Sequence, residues 1–268
     1  MVNNLQLNKS AFEIDCEEVS SKIEKYIQKI VKNSHTKGIV VGLSGGIDSA
    51  VVAALAVRAI GKEKVLGLML PNATLDQSFE DDARILAKQL GIEVKKIPIA
   101  DFIDAFTKNV DESVAENHLA VGNAMARFRM ILLYAYSNHL NYLVIGTSNK
   151  TELLVGYFTK YGDGGVDFEP CGDLYKTQIR LLAKYLDIPK AIIEKLPTAG
   201  LWKGQTDEGE IGITYDILDL ILLGCEKGYA KEQICNELKI EPHLFDKVKN
   251  MIKKSEHKRK MPPIFKVK

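Results

Sequence analysis

The chain has 268 residues, 46% of them hydrophobic, with 36 lysines and arginines set against 35 aspartates and glutamates. That size and apolarity give it enough material to bury a large core, and the near balance of charge argues against a surface built for nucleic acid. No apolar run approaches the roughly 20 residues a bilayer span needs. The sequence does not open on a signal-peptide core, and Cys16, Cys171, Cys225 and Cys235 form no zinc-type cluster. The expectation is a cytoplasmic protein with reduced thiols, no membrane partner and no nucleic-acid partner.

In chain order, Asp15 with Glu18 three positions on predicts a helix start, and Val19, Ile23, Ile27 and Ile30 share one face of that helix. Gly38 to Leu43 reads as a buried strand, Ser49 to Ile60 as its helix, and Val65 to Leu70 as a second buried strand ending before Pro71. Asp76 to Leu90 reads as a helix stopped by Gly91, followed by a third strand from Val94 to Ile99 interrupted by Pro98. A long helix, apolar on more than one face, runs from Glu116 to His139, and a strand from Tyr142 to Thr147 follows it. The alternation predicts an α/β fold with a parallel sheet, whose ligands collect at the carboxyl ends of the strands.

Beyond it, Gly156 to Pro170 is too glycine-rich for regular structure and reads as a long functional loop. Leu174 to Leu186 reads as a helix, a short helical piece precedes Pro197, and the polar stretch Gly204 to Glu210 reads as an interruption free to move. From Thr214 to Lys254 the spacing is helical, with breaks placed at Gly224, Gly228 and Pro242. One domain spans 1–268, with a core over about 36–200 and a helical C-terminal part over about 201–268. The basic run Lys253 to Lys260 reads from composition first as a solvated, frayed tail and second as a contact for a phosphate-bearing ligand.

The chemistry centres on Leu43-Ser44-Gly45-Gly46-Ile47-Asp48-Ser49, between the first strand and its helix. Two glycines let backbone N–H groups converge on an anion at a helix N-terminus, and Ser44 and Ser49 add hydroxyls. Asp48 would repel a bare phosphate, so it either caps the helix or holds a divalent cation between itself and a nucleotide. With no lysine after the second glycine, the Walker pattern is not met.

The loop resembles that of the N-type ATP pyrophosphatases. Three later segments, Gly146 to Glu152, Gly156 to Gly165 and Pro197 to Trp202, together with His257-Lys258-Arg259, resemble the NAD synthetase family across nearly the whole chain. The resemblance implies a three-layer, Rossmann-like parallel sheet flanked by helices, of the adenine nucleotide alpha-hydrolase type. It also implies a homodimer and the ATP-dependent amidation of deamido-NAD with ammonia, through an adenylated nicotinate, to NAD, AMP and pyrophosphate. Relatives that use glutamine carry a further amidohydrolase domain, so ammonia here comes free or from a separate glutaminase. Another N-type ATP pyrophosphatase, such as a tRNA-modifying or amidotransferase synthetase, is the alternative enzyme, and a nucleotide sensor without turnover the alternative class. Ser148, where some relatives have aspartate, and Trp202, at an often aliphatic position, depart from the family pattern.

Carried over by the same resemblance, Gly42, Leu43, Ser44, Gly45, Gly46, Ile47, Asp48 and Ser49 join Met69, Arg129, Thr147, Lys176 and Thr198 as the ATP site. Asp48, Glu152 and Thr198 are the Mg²⁺ ligands, with two ions expected when ATP is bound. Asn123, Tyr157, Lys160, Asp167, His257 and Lys258 meet deamido-NAD, the last two in a segment that closes over the site. Asp48, Lys176 and Asp163 are the catalytic set, Asp163 as a base that deprotonates ammonium. From the residues alone, Glu152 reads as well as a helix-start carboxylate, Lys176 as a solvated charge, and Asp163 as a Gly-Asp-Gly turn residue.

Overall fold

The computed structural model describes residues 7–72, 76–202 and 204–267. Its first helix is α1 (Cys16–Asn33), where the Asp15 carboxylate accepts from the Glu18 N–H as the spacing requires, and Ile23 and Ile27 are buried. Then come β1 (Gly38–Gly42), α2 (Ile47–Ile60), β2 (Val65–Met69), α3 (Gln77–Leu90) and β3 (Glu93–Lys96). The chain continues through α4 (Ala100–Lys108), α5 (Glu112–Ala115), α6 (His118–Leu140) and β4 (Tyr142–Ile145). Helices and loops close it, with α7 (Lys150–Val155), α8 (Lys176–Tyr185), α9 (Lys190–Glu194), α10 (Asp207–Ile211), α11 (Tyr215–Glu226), α12 (Lys231–Leu238) and α13 (Pro242–Lys254).

The four strands form one parallel sheet in the order β3-β2-β1-β4. Strand side chains alternate between two cores, as period-2 geometry demands: Ile39 and Val41 of β1 join α1, α2, α3, α8 and α9 on one face, while Val40 joins Ile99, Ile103 and Met125 under α4 and α6 on the other. A third core, around Tyr215, Leu218, Ile221 and Val248, lies within the C-terminal helices and takes in Leu7 and Phe12 from the start of the chain. These are the three layers and the helical C-terminal part expected. Because β1 feeds β2 on one side and has β4 on its other, the strand order reverses at β1/β4, which opens a crevice outside their carboxyl ends.

Three expectations need correction. The third strand stops at Lys96 because Pro98 has no N–H to give the ladder, and its exposed Glu93, Lys95 and Lys96 mark it as the sheet edge. The stretch 204–210 is no mobile interruption: Thr206 accepts from the Gly209 N–H and starts α10, while Gln205 and Asp207 are buried. Gly224 breaks nothing either; it lies inside α11, where a Cβ would meet Ile234 Cδ1 at 2.8 Å, so the small residue lets α12 approach. Pro242 begins α13 at a position that needs no N–H.

Candidate active site

The crevice at β1/β4 is a cavity of about 390 Å³. Its first wall is the glycine loop. Gly45 has φ +78°, and a Cβ there would sit 2.1 Å from the Phe79 carbonyl oxygen, so only glycine makes this turn. Gly46 then caps α2, with its N–H donating to Ser44 Oγ at 3.2 Å, and Ser49 Oγ lies 3.1 Å from Ser44 Oγ. The serine hydroxyls are therefore held as a pair at a helix N-terminus, where anions are favoured.

Asp48, in the first turn of α2, does not cap that helix. Its Oδ1 accepts from Asn149 Nδ2 at 2.9 Å and its Oδ2 from Lys176 Nζ at 2.6 Å. Lys176 Nζ also donates to Glu152 Oε1 at 3.1 Å, and its side chain is 2% exposed. The solvated reading of Lys176 is thus excluded. Burial alone would lower its pKa, but Asp48 and Glu152 outweigh that and hold the ammonium firmly charged. Glu152 fills both of its sequence readings: Oε2 accepts from the Asn149 N–H in a capping box on α7, while Oε1 faces Lys176. Burial raises the Glu152 pKa, and Lys176 pulls it back.

A floor missed by sequence reasoning completes this cluster. The Tyr215 ring lies under Lys176 Nζ, 4.9 Å from its centroid, and the Tyr215 hydroxyl donates to Asp207 Oδ2 at 3.0 Å and Glu152 Oε1 at 3.4 Å. Burial raises the pKa of Asp207. Glu210 of α10 accepts from the Tyr157 hydroxyl at 2.5 Å and from Gln205 Nε2 at 2.9 Å. The only signal for Asp207 and Glu210 was their place in an acidic stretch after Thr206, and Tyr215 looked like any buried aromatic.

Of the expected ATP contacts, Gly42, Leu43, Ser44, Asp48, Ser49, Met69, Arg129, Thr147 and Thr198 line the cavity, Gly45, Gly46 and Ile47 do not, and Lys176 reaches it through the lining residues Asp48 and Glu152. Arg129 Nε donates to the Leu70 carbonyl at 3.0 Å, and burial lowers its pKa to about 10. Asn123, Tyr157 and Lys258 also line the cavity, Asn123 Oδ1 accepting from Thr159 Oγ1 at 2.7 Å. Asp163 opens onto it, its Oδ1 accepting from the Thr159 N–H at 2.9 Å, and the surrounding protein raises its pKa by desolvation.

Three of the residues expected to meet deamido-NAD, Asp167, Lys160 and His257, stand apart from the cavity lining. Asp167 accepts from the Val144 N–H at 2.7 Å and the Tyr134 hydroxyl at 3.1 Å, which ties the loop to β4 and α6. Lys160 Nζ donates to the His257 carbonyl at 2.7 Å, and the His257 side chain is exposed. Lys258 Nζ donates to the Gly156 and Phe158 carbonyls, each at 2.7 Å, so the basic run is neither a frayed tail nor a detached flap but is docked on the 156–163 loop.

The family model described as NAD synthase matches residues 19–262. Among curated proteins, an NH(3)-dependent NAD(+) synthetase of Thermococcus sibiricus is 49% identical over 93% of this chain and 97% of its own. Another, of Methanosarcina acetivorans, is 46% identical over 94% and 98%. Among solved structures, an NMN synthetase from Francisella tularensis superposes with a TM-score of 0.83 at 38% identity, covering 94% of this chain and 99% of that one. An NH3-dependent NAD synthetase from Campylobacter jejuni gives 0.81 at 38%, covering 95% and 100%. A phosphate-type loop at the sheet's switch point and this likeness over nearly the whole chain have one meaning: the chain belongs to the NAD synthase family.

Proposed function

We propose that the protein is an ammonia-dependent NAD synthetase, with deamido-NAD, ATP and ammonia as substrates and NAD, AMP and pyrophosphate as products. The observation that carries this reading is the meeting of Asp48, Glu152 and Lys176 beside the paired serines of the glycine loop, at the mouth of β1 and β4. A nicotinate carboxylate is a poor electrophile. Its oxygen attacks the α-phosphorus of ATP and pyrophosphate leaves from the side of Ser44 and Ser49; nitrogen then attacks the acyl carbon, and AMP leaves with the C–O bond electrons. Lys176 and the helix N-terminus of α2 carry positive charge towards the departing pyrophosphate. Asp163, with a raised pKa and an open face on the cavity, is placed to take a proton from ammonium.

The residues also fit Mg²⁺. Among the described residues no group of three or more His, Cys, Asp or Glu side chains stands ready for a metal, but Asp48 and Glu152 already share one cation, the Lys176 ammonium. Two carboxylates plus substrate phosphates are a usual Mg²⁺ environment. Asp48 and Glu152, with the Thr198 hydroxyl, would hold Mg²⁺ there, where it would neutralise phosphate charge. Two ions with ATP, a homodimer through the long α6 with its exposed Leu119 and Ile131, a cytoplasmic location, and ammonia taken free or from a separate glutaminase complete the proposal. No described helix is long and apolar enough to cross a membrane.

The neighbour from Francisella tularensis is an NMN synthetase, so the substrate choice is the point to test. Supplied with ATP, Mg²⁺ and ammonium, the protein should turn over deamido-NAD at least about ten-fold more efficiently than nicotinate mononucleotide, a difference of about 1.4 kcal/mol in transition-state binding. The reverse preference would replace the dinucleotide reading by a mononucleotide one.

A further inference from the structure

Two reactive side chains of the cluster, Glu152 and Lys176, sit on different short elements, the first turn of α7 and the first residue of α8. Something must hold those two helix starts at a fixed distance. Their own sequences do not: the N-cap residue of α8, Tyr175, gives no side-chain cap to the helix, so the first N–H groups need partners from elsewhere.

The partner is Asp219, on α11 and 0% exposed, outside the cavity lining. Its Oδ2 accepts from the Thr177 N–H at 2.8 Å and the Thr177 hydroxyl at 2.7 Å. Its Oδ1 accepts from the Thr151 hydroxyl at 2.5 Å, and Thr151 Oγ1 in turn accepts from the Lys176 N–H at 3.0 Å. One carboxylate thus caps α8 from outside and grips the residue next to Glu152 and the residue next to Lys176. Tyr215, one helical turn before Asp219 on the same face of α11, touches the same two side chains from below.

We propose that Asp219 is a positioning residue, which sets the spacing of α7 against α8 through Thr151 and Thr177 and so holds Glu152 and Lys176 together on Asp48. It touches no substrate and acts through the two residues it aligns. The inference rests on the NAD synthetase reading, and assaying the wild-type protein first separates the two: an inactive wild type sinks that reading, whereas an active wild type leaves Asp219 to be judged on its variants.

The experiment compares Asp219→Ala, Asp219→Asn and Thr151→Val, each also in a Glu152→Gln background, by steady-state kinetics with ATP and by thermal melting. Misplacement of reacting groups costs up to about 100-fold. Asp219→Ala and Thr151→Val are expected to lower kcat about 10- to 100-fold, with the KM for ATP moved less than about three-fold. Asp219→Asn, which keeps the shape and can reverse one bond, should recover most of that loss. In the Glu152→Gln background Asp219→Ala should cost clearly less than it does in the wild-type background, since the share of its effect that runs through Glu152 is already lost. Thr151→Val keeps the test open if Asp219→Ala does not fold. The proposal is overturned if folded Thr151→Val keeps wild-type kcat while only its melting temperature falls, or if the losses multiply in full in the Glu152→Gln background.

Discussion

Lys176 is a buried cation that the fold keeps between two carboxylates it is also expected to present to a metal. Removing one partner of a buried ion group costs about 3–5 kcal/mol, because the charges left behind lose their compensation. Lys176→Met should therefore melt well below wild type and lose activity. A divalent cation can replace the lost charge: Mn²⁺ should raise the melting temperature of Lys176→Met and leave that of the wild type, without nucleotide, nearly unchanged. Equal responses of the two proteins would mean that Asp48 and Glu152 do not share a cation position with Lys176. Glu169 makes a second case at this scale. Its carboxyl lies against Gly146, accepts from the Ser148 N–H at 3.1 Å, and leaves Oε1 buried without a partner. Burial pushes its pKa up to about 8. A carboxyl whose folded pKa exceeds its unfolded value of about 4.5 binds more protons when folded, so it loses stability as pH rises between those values. Glu169→Gln cannot ionise; its stability relative to wild type should rise from pH 5 to pH 8 by up to about 1.4 kcal/mol per pH unit, read as a growing difference in melting temperature. Parallel pH profiles would show that Glu169 stays charged.

At the scale of elements, the docked C-terminal run is the feature with most to lose. Lys258 satisfies two loop carbonyls, and Arg259 Nη1 donates to the Leu153 and Leu154 carbonyls at the end of α7, at 2.9 and 2.8 Å. Lys258→Met keeps the apolar stem but orphans both loop acceptors. Thermolysin should then trim the chain near Met261 faster than in wild type; an unchanged rate would show that Lys258 does not hold the segment. How much of this was legible in sequence follows from where the information lies. The β1-loop-α2 unit was plain, because a glycine pair between an apolar strand and an apolar helix start is a local signal, and so were the caps at Asp15 and Gly91. Helix α4, between Ile99 and Asn109, has no strong sequence signal, and α10 reads as a mobile stretch because nothing local shows that its polar residues meet Tyr157, 53 positions away, and Tyr215 on the next helix. The same holds within the site. Asp48 is legible in the glycine loop, and Glu152 and Lys176 through the family resemblance alone, whereas Asp207, Tyr215 and Asp219 sit at positions whose meaning appears only when α10 and α11 pack on α7 and α8.

For the whole molecule, the parallel order β3-β2-β1-β4 decides the outcome, since it brings the loop after β1 and the polar run after β4 to one crevice, while the C-terminal helices supply its floor. Composition points only to one large domain with reduced thiols and no membrane span; topology converts three distant motifs into one cavity. The central claim is that this cavity splits ATP between its α and β phosphates in order to amidate a nicotinate. The direct measurement is the stoichiometry of products from deamido-NAD, ATP, Mg²⁺ and ammonium. The account predicts NAD, AMP and pyrophosphate in equal amounts, none of them accumulating when deamido-NAD is omitted. ADP and inorganic phosphate in place of AMP and pyrophosphate, or AMP released without formation of the amide, would contradict it.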